Sequence, residues 1–447
     1  QLLLNAISIT SLIHMPYDGQ GKTSLGISFG TSEFSFRKGQ LNYNGQYMCI
    51  RYYENDEDGN PINYPTVNER FNTAHMDDFY VTDDLTISYW ISSRMRELFA
   101  EGNTLSNFAE PRQGLATSDN DRYLRLWYEV DWNRESFDTQ SREEAINCGK
   151  KWFALTKGGE FRKWYGNNFY VVDWENDGAD MKAAVMQKYP YLNTPDFVVK
   201  NQKYYFRPGI TWSTLTSSKI SFRNCESGFI METKGSICYP MNPRMQMYII
   251  AFLNSTVCEK FAEILSPTMD LHEGPVGRLP FVYNPEFEDR INEIASRNID
   301  LCKLDWDARE ISWNFIRFPL IKGSSIKSAY EIWSEICESR HNELKNNEES
   351  INRLFAKIYA LQDETVVGVE DKYVSIGQSD LKTMICEFIS YAVGCMFGRY
   401  SLDVDGLVYA GGDWDNDKYI TFIPDSDNII PICDDEYFDD DILGRFT

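Results

Sequence analysis

The chain has 447 residues, 43% of them hydrophobic, which is enough for two or three domains, each with its own core. No run of about 18 apolar residues occurs, so no membrane-spanning helix is expected. Its 44 Lys/Arg against 67 Asp/Glu give a net charge of −23, which in an evenly charged chain argues against a nucleic-acid partner.

The charge is not even. Residues 1–108 carry −6, residues 109–285 are neutral, and residues 286–447 carry −17. Within the neutral middle, residues 150–223 hold 12 Lys/Arg against 6 Asp/Glu. This window is the candidate binding face. Ten cysteines are scattered without a C-x-x-C pair, and there are four histidines, so a structural zinc site is not expected. Cys386 and Cys395 sit among apolar residues and read as buried thiols in a reducing, cytoplasmic compartment. The chain opens at Gln1 inside a strand-like pattern with no basic n-region, and it is expected to be part of a longer protein.

In chain order, Ala6–Met15 is an apolar, β-branched run and predicts a strand. Ile27–Arg37 alternates, and after Gly39-Gln40-Leu41-Asn42 the run Gln46–Tyr53 alternates again, which predicts a hairpin. Asn55–Pro61 is a loop. Residues 83–100 predict a helix capped by Asp83 or Asp84 and striped by Leu85, Tyr89, Ile91, Met95 and Leu98. Residues 109–285 are mixed, with strand-and-turn pieces at Gly209–Ser213 and Phe229–Ser236. Met245–Leu265 predicts one strong helix ended by Pro267. Beyond Pro285 helices dominate: Phe287–Lys303, Ala329–Glu343 and Glu349–Leu361. The tail is acidic, with Asp434-Asp435-Glu436 and Asp439-Asp440-Asp441.

Several motifs allow two readings. Lys157-Gly158-Gly159 either lets backbone amides approach a phosphate or is an ordinary turn; the full P-loop pattern is absent. Arg162, Lys163, Asn167 and Asn168, interleaved with Trp164 and Tyr165, suit phosphates and base edges, or form a solvated cationic hairpin. The stretch 114–125, with Asn120, Arg122 and Arg125, is a DNA-facing loop or a set of Asx turns. Lys219 and Arg223, near Trp212, are comparable, with Trp212 read as packed. Asp173, Glu175 and Asp177 read as surface charges, because no paired histidine ligand is near. His272 is isolated and is given no role.

Together, GLATSDNDRYLRLWYEV (114–130), KWFALTKGGEFRKWYGNNFYVVDWENDG (151–178), YYFRPGITWS (204–213), SFRNCESGFIMETKGS (221–236), FLNSTVCEKFAEILSPT (252–268) and ISYAVGCMFGRYSLD (389–403) resemble the adenine-specific DNA methyltransferases of bacteriophage exclusion (BREX) type 1 systems. PDSDNIIPICDDEYFDDDILGRF (424–446) fits as well, so the likeness spans essentially the whole chain. Broader relatives are fused methyltransferase–specificity proteins of restriction-modification.

The resemblance implies a mixed α/β protein. Residues 1–54 would be the last strands of a Rossmann-like methyltransferase sheet, with FGTSEFSFRK (29–38) as its late hairpin. Residues 55–108 would be a connecting loop and helix, 109–285 an α+β target-recognition domain, and 286–447 an acidic helical C-terminal region. The family's cofactor glycine loop and its N-P-P-[YF] motif are absent; no Pro-Pro pair occurs anywhere. That motif holds the amino group of the flipped adenine. The parent enzyme is therefore expected to use S-adenosylmethionine, and this segment alone to bind none and to be inactive. The implied partners are double-stranded DNA, the missing N-terminal methyltransferase domain and other phage-defence proteins, with no membrane. Two other classes stay open: the specificity part of a fused restriction enzyme, and a non-catalytic module binding DNA, glycans or a partner protein.

Overall fold

A computed structural model describes residues 6–16, 30–39, 41–58, 60–63, 66–81, 87–216, 219–266, 270–321, 323 and 325–424. The expected cap at Asp83 or Asp84 with Leu85, the start of the second strand run at 27–29, Pro267, Cys433 and the acidic tail lie outside them.

The apolar first run forms β1 (Ile7–Met15), followed by β2 (Thr31–Lys38), β3 (Asn44–Cys49) and β4 (Asn72–His75). These form one sheet in the order β2-β1-β3-β4. The expected hairpin between the second and third runs is not formed. β2 pairs antiparallel to β1, and β3 pairs parallel to β1 on its other side. Burial explains the order. β1 buries Ile7, Ile9 and Leu12 and takes the centre, whereas β2 is exposed along nearly its whole length and stays at the edge. The chain crosses the end of β1 between the two, where Ser8 Oγ donates to Gly39 O and accepts from Leu41 N, both at 2.8 Å.

The helix expected over 83–100 is shorter. α1 spans Ser93–Ala100, and Ser92 caps it by accepting from Met95 N. Residues 87–92 turn instead, and Tyr89 stacks on Tyr47 of β3 with ring centroids 5.1 Å apart. Its contact is with the sheet, so helical spacing there was coincidental.

The middle of the chain contributes β5 (Ala109–Arg112), β6 (Leu124–Leu126), β7 (Glu135–Ser136), β8 (Trp152–Thr156), β9 (Tyr170–Asp173), α2 (Glu175–Lys188), β10 (Gly209–Trp212), β11 (Phe222–Cys225), β12 (Ile230–Met231) and β13 (Ile237–Pro240). One sheet runs β11-β10-β13-β5; the other runs β12-β8-β9-β6, with β7 also on β8. A close backbone approach joins them. A Cβ at Gly114 would stand 1.9 Å from Met231 O, so only glycine lets Leu115 N donate to that carbonyl at 2.9 Å.

Met245–Leu265 is two helices, α3 (Gln246–Leu253) and α4 (Thr256–Leu265). Asn254 breaks it because its side chain bonds the backbone of β11: Oδ1 accepts from Phe222 N and Nδ2 donates to Phe222 O, each at 3.0 Å. Ser255 then turns extended and caps α4. The opposite error occurs downstream. After α5 (Glu288–Trp306), the two helices expected in 329–361 are one, α6 (Ile326–Tyr359). Its buried stripe of Cys337, His341, Leu344, Glu348, Ile351 and Phe355 is continuous. It ends at Ala360, in the left-handed region at φ +55°.

In α7 (Leu381–Met396), the buried side is Met384, Tyr391 and Cys395. Cys386, two residues from Met384, lands on the opposite side and is exposed, against the expectation of a buried thiol. No helix among the described residues is long and apolar enough to cross a membrane. The largest core runs from Ile91 through Trp164, Trp212, α3 and α4 into α5 and α6 as far as Ile376, without a break at residue 285.

Candidate nucleic-acid interface

The basic window begins at β8, whose five residues are all buried. Lysines on its approach and exit are engaged locally. Lys150 Nζ donates to Asn133 O at 2.6 Å, Lys151 pairs with Asp173 at 3.1 Å, and Lys157 Nζ lies 4.9 Å over the Tyr170 ring. The glycines after Lys157 form a pinned turn. Gly159 N donates to Ser213 Oγ at 3.0 Å, and a Cβ at Gly158 would stand 2.9 Å from Lys234 O.

The next residues turn inward, towards the acidic helices. Arg162 pairs with Asp305 of α5 at 2.8 Å, donates through Nε to Tyr165 O at 2.9 Å, and lies 5.1 Å over Trp306. Lys163 Nζ meets Glu348 Oε2 of α6 at 3.0 Å, while Trp164 Nε1 donates to Glu348 Oε1 at 2.7 Å. Glu348 is only 2% exposed. Trp164, at φ +71°, also bridges to β11 through its backbone. Lys163 N donates to Ser375 Oγ at 2.7 Å, and Lys219, paired with Glu259 at 2.8 Å, lies 4.8 Å over Tyr373. Arg162 and Lys163 therefore clasp the middle of the chain to its acidic last third, whereas the more exposed Lys219 is paired within the middle and reaches the last third only through the Tyr373 ring. Neutralised and mostly desolvated, Arg162 and Lys163 are poorly placed to meet a phosphate.

Arg223 is 1% exposed. Its guanidinium reaches Arg162 O at 3.3 Å and Ser213 Oγ at 3.4 Å, with no carboxylate in salt-bridge range among the described residues. Burial, reinforced by the neighbouring Arg162 charge, lowers its pKa to about 10, so it stays protonated at neutral pH. It serves the interior of the domain.

The remaining candidates lie elsewhere. Asn120, Arg122 and Arg125 fall on a short helix and strand at 120–126. Asn120 is exposed and accepts from Thr117; Arg122 is exposed and pairs with Asp180 at 2.7 Å; Arg125 donates to Asp121 O and Leu124 O, both at 2.6 Å. Asn167, at φ +61°, donates to Glu160 O at 2.9 Å, and Asn168 follows it, three residues beyond the buried Tyr165. The carboxylates Asp173, Glu175 and Asp177 each meet a cation: Lys151 at 3.1 Å, Arg134 at 3.1 Å, and Arg142 with Lys182. Burial works to raise the Asp177 pKa, but the bonds from Arg142 and Lys182 outweigh it and hold it below the usual range.

One part of the window went unremarked in the sequence. Segment 188–207 holds Lys188, Lys200, Lys203 and Arg207 against the single acid Asp196. None of the four cations has a carboxylate partner among the described residues. A local charge count at this scale, rather than over 150–223, finds it.

No family model matches the chain. It is 38% identical over 370 residues to the adenine-specific methyltransferase PglX of Lacticaseibacillus casei (strain Zhang), covering 80% of this chain and 30% of that protein. It is 30% identical over 435 residues to the adenine-specific methyltransferase BrxX of Escherichia coli O9:H4 (strain HS), covering 90% and 34%. The chain is homologous to about a third of these methyltransferases. The resemblance to the adenine-specific methyltransferases of bacteriophage exclusion is thereby shown. Among solved structures, the type IIL restriction-modification enzyme MmeI in complex with DNA aligns over 87% of this chain and 46% of that one, at 12% identity and a TM-score of 0.44. The type IIG restriction endonuclease BpuSI aligns over 80% and 45%, at 10% identity and 0.26. At such scores neither alignment carries an argument.

Proposed function

We propose that this chain is the DNA-recognition portion of a site-specific N6-adenine DNA methyltransferase of a phage-defence system. The supporting observation is the 38% identity to an adenine-specific methyltransferase over 80% of the chain. In this reading residues 109–285 are the target-recognition domain, 1–54 the end of the methyltransferase sheet, 55–108 the connection, and 286–447 a helical support. The parent enzyme uses S-adenosylmethionine; this segment has neither the cofactor glycine loop nor the N-P-P-[YF] motif, and it binds DNA without methylating it. Of the ten residues singled out by the sequence, Asn120, Arg122 and Lys157 keep polar heads near solvent and remain contacts for bases or phosphates. Arg125, Asn167 and Asn168 shape the loops beside them. Arg162, Lys163, Lys219 and Arg223 hold the domain together.

The test uses the 447-residue chain with a pool of randomised duplexes. Binding with a negative slope of log affinity against log salt is expected, because phosphate contacts release counterions, along with enrichment of a short sequence. No duplex binding at about 50 mM salt, where such contacts are strongest, refutes the reading.

A further inference from the structure

We propose that segment 188–207 is a docking surface for the phosphate backbone of duplex DNA. Lys188, Lys200, Lys203 and Arg207 meet phosphates there, and Tyr191 and Phe197 pack against the sugars. The proposal rests on the DNA-recognition reading and names a surface that the sequence motifs did not.

The segment joins the end of α2 to β10. Lys203 Nζ stands 5.1 Å from the Tyr204 ring, the Arg207 guanidinium 5.4 Å, and the Arg112 guanidinium 5.1 Å. Three cations thus surround one ring. The carboxylate among them, Glu110, already takes Arg112 at 2.6 Å and the Tyr204 hydroxyl at 3.0 Å. Lys203 and Arg207 are both exposed. The ring face draws cations in, and the single Glu110 carboxylate, which attracts Lys203 as well as Arg112, offsets only part of the charge of three cations. Lys200 Nζ donates to Gln113 Oε1 at 2.6 Å and Lys188 Nζ to Ser118 O at 3.0 Å, both neutral acceptors that leave the charge unanswered.

A second observation is independent of charge. Tyr191 is 76% exposed and Phe197 is 70% exposed, on the same stretch as the free cations. Large aromatics left in water beside cations suit the alternating apolar and anionic surface of a nucleic-acid backbone. The Lys188–Ser118 bond also brings the turn at 117–119 and the short helix that follows it, with Asn120 and Arg122, to this edge, so a backbone held here lies beside side chains able to read bases.

The experiment compares the 447-residue chain with its K200A/K203A/R207A variant, using a labelled duplex titrated at increasing salt. Each lost phosphate contact removes about 0.9 from the slope. The triple variant should lose about 2.7 of slope, so its affinity should fall about 40-fold less than that of the wild type between 50 and 200 mM salt. Lys203→Glu alone, at an exposed site, gives the same reading with a smaller change if the triple variant fails to fold. Tyr191→Ala with Phe197→Ala should weaken binding and leave the slope unaltered. An unchanged slope and affinity in the triple variant, with the wild type binding, overturns this surface and leaves the DNA-recognition reading standing. No binding by the wild type overturns both. Displacement of the duplex by polyglutamate at equal charge concentration reassigns the surface to an acidic protein.

Discussion

Glu348→Ala is the sharpest perturbation of the clasp between the middle of the chain and its helical third. Its carboxylate takes Lys163 Nζ at 3.0 Å and Trp164 Nε1 at 2.7 Å. Removing it leaves an ammonium whose side chain is 12% exposed, and a fully buried indole N–H, without their acceptor. Breaking a buried pair from one side costs about 3–5 kcal/mol. The indole adds less than its separate cost of ~1–3 kcal/mol, because both donors share one acceptor. Glu348→Gln keeps an oxygen for Trp164 and should lose about half as much. Lys163→Met combined with Glu348→Gln removes the stranded charge and should recover most of the loss. Urea unfolding followed by tryptophan fluorescence measures this. Backbone hydrogen exchange at 163–164 and 344–352 separates the clasp from other unfolding steps in so long a chain. A loss below about 1 kcal/mol, the range of an exposed pair, refutes the clasp. So does a double variant no more stable than Glu348→Ala.

Two further outcomes follow from buried groups and close contacts. Glu135 is buried on β7, neither carboxyl oxygen has a hydrogen-bond partner, and burial pushes its pKa up to about 8. Between its unfolded value near 4.5 and that folded value, the folded chain holds a proton that the unfolded chain releases, so stability falls as pH rises through this window. Glu135→Gln should match the wild type near pH 5 and exceed it by up to several kcal/mol at pH 8, since each pH unit crossed in the window costs the wild type ~1.4 kcal/mol; parallel pH–stability curves for the two proteins would disprove the assignment. Gly114→Ala would drive a methyl group into Met231 O and should prevent folding of the paired sheets, seen as insoluble expression or lost protease resistance. A soluble variant with an unchanged melting profile would show that the contact relaxes freely.

The sequence made strands and helices legible wherever local pattern and tertiary role coincide. β1, α5 and the strand pieces at 209–212 and 230–231 are of that kind. It misled where a distant partner overrides the pattern. Asn254 is an unremarkable residue inside a helical stripe until its amide meets the backbone of Phe222, and β2 and β3 read as neighbours until burial puts β1 between them. The candidate site was legible only as a region. Composition located the excess of cations at 150–223, but it could not show that Arg162 and Lys163 face Asp305 and Glu348, 143 and 185 residues away in sequence. A cation's availability depends on whether the fold supplies it with an acid, and that is a long-range fact.

The same distinction makes salt a usable probe. Exposed charges are screened within about 10 Å at 0.1 M salt, whereas desolvated pairs are screened far less. The Lys163–Glu348 pair is enclosed by Trp164 and α6, so raising salt across the range of a binding titration leaves the clasp shut. Lys203 and Arg207 stand in solvent and lose their hold on phosphates over that same range. A salt-dependent loss of DNA binding at an unchanged unfolding midpoint therefore assigns the electrostatic work to unpaired cations such as those of 188–207. A midpoint that falls in step with binding places it in the clasp and returns the interface to Arg162 and Lys163.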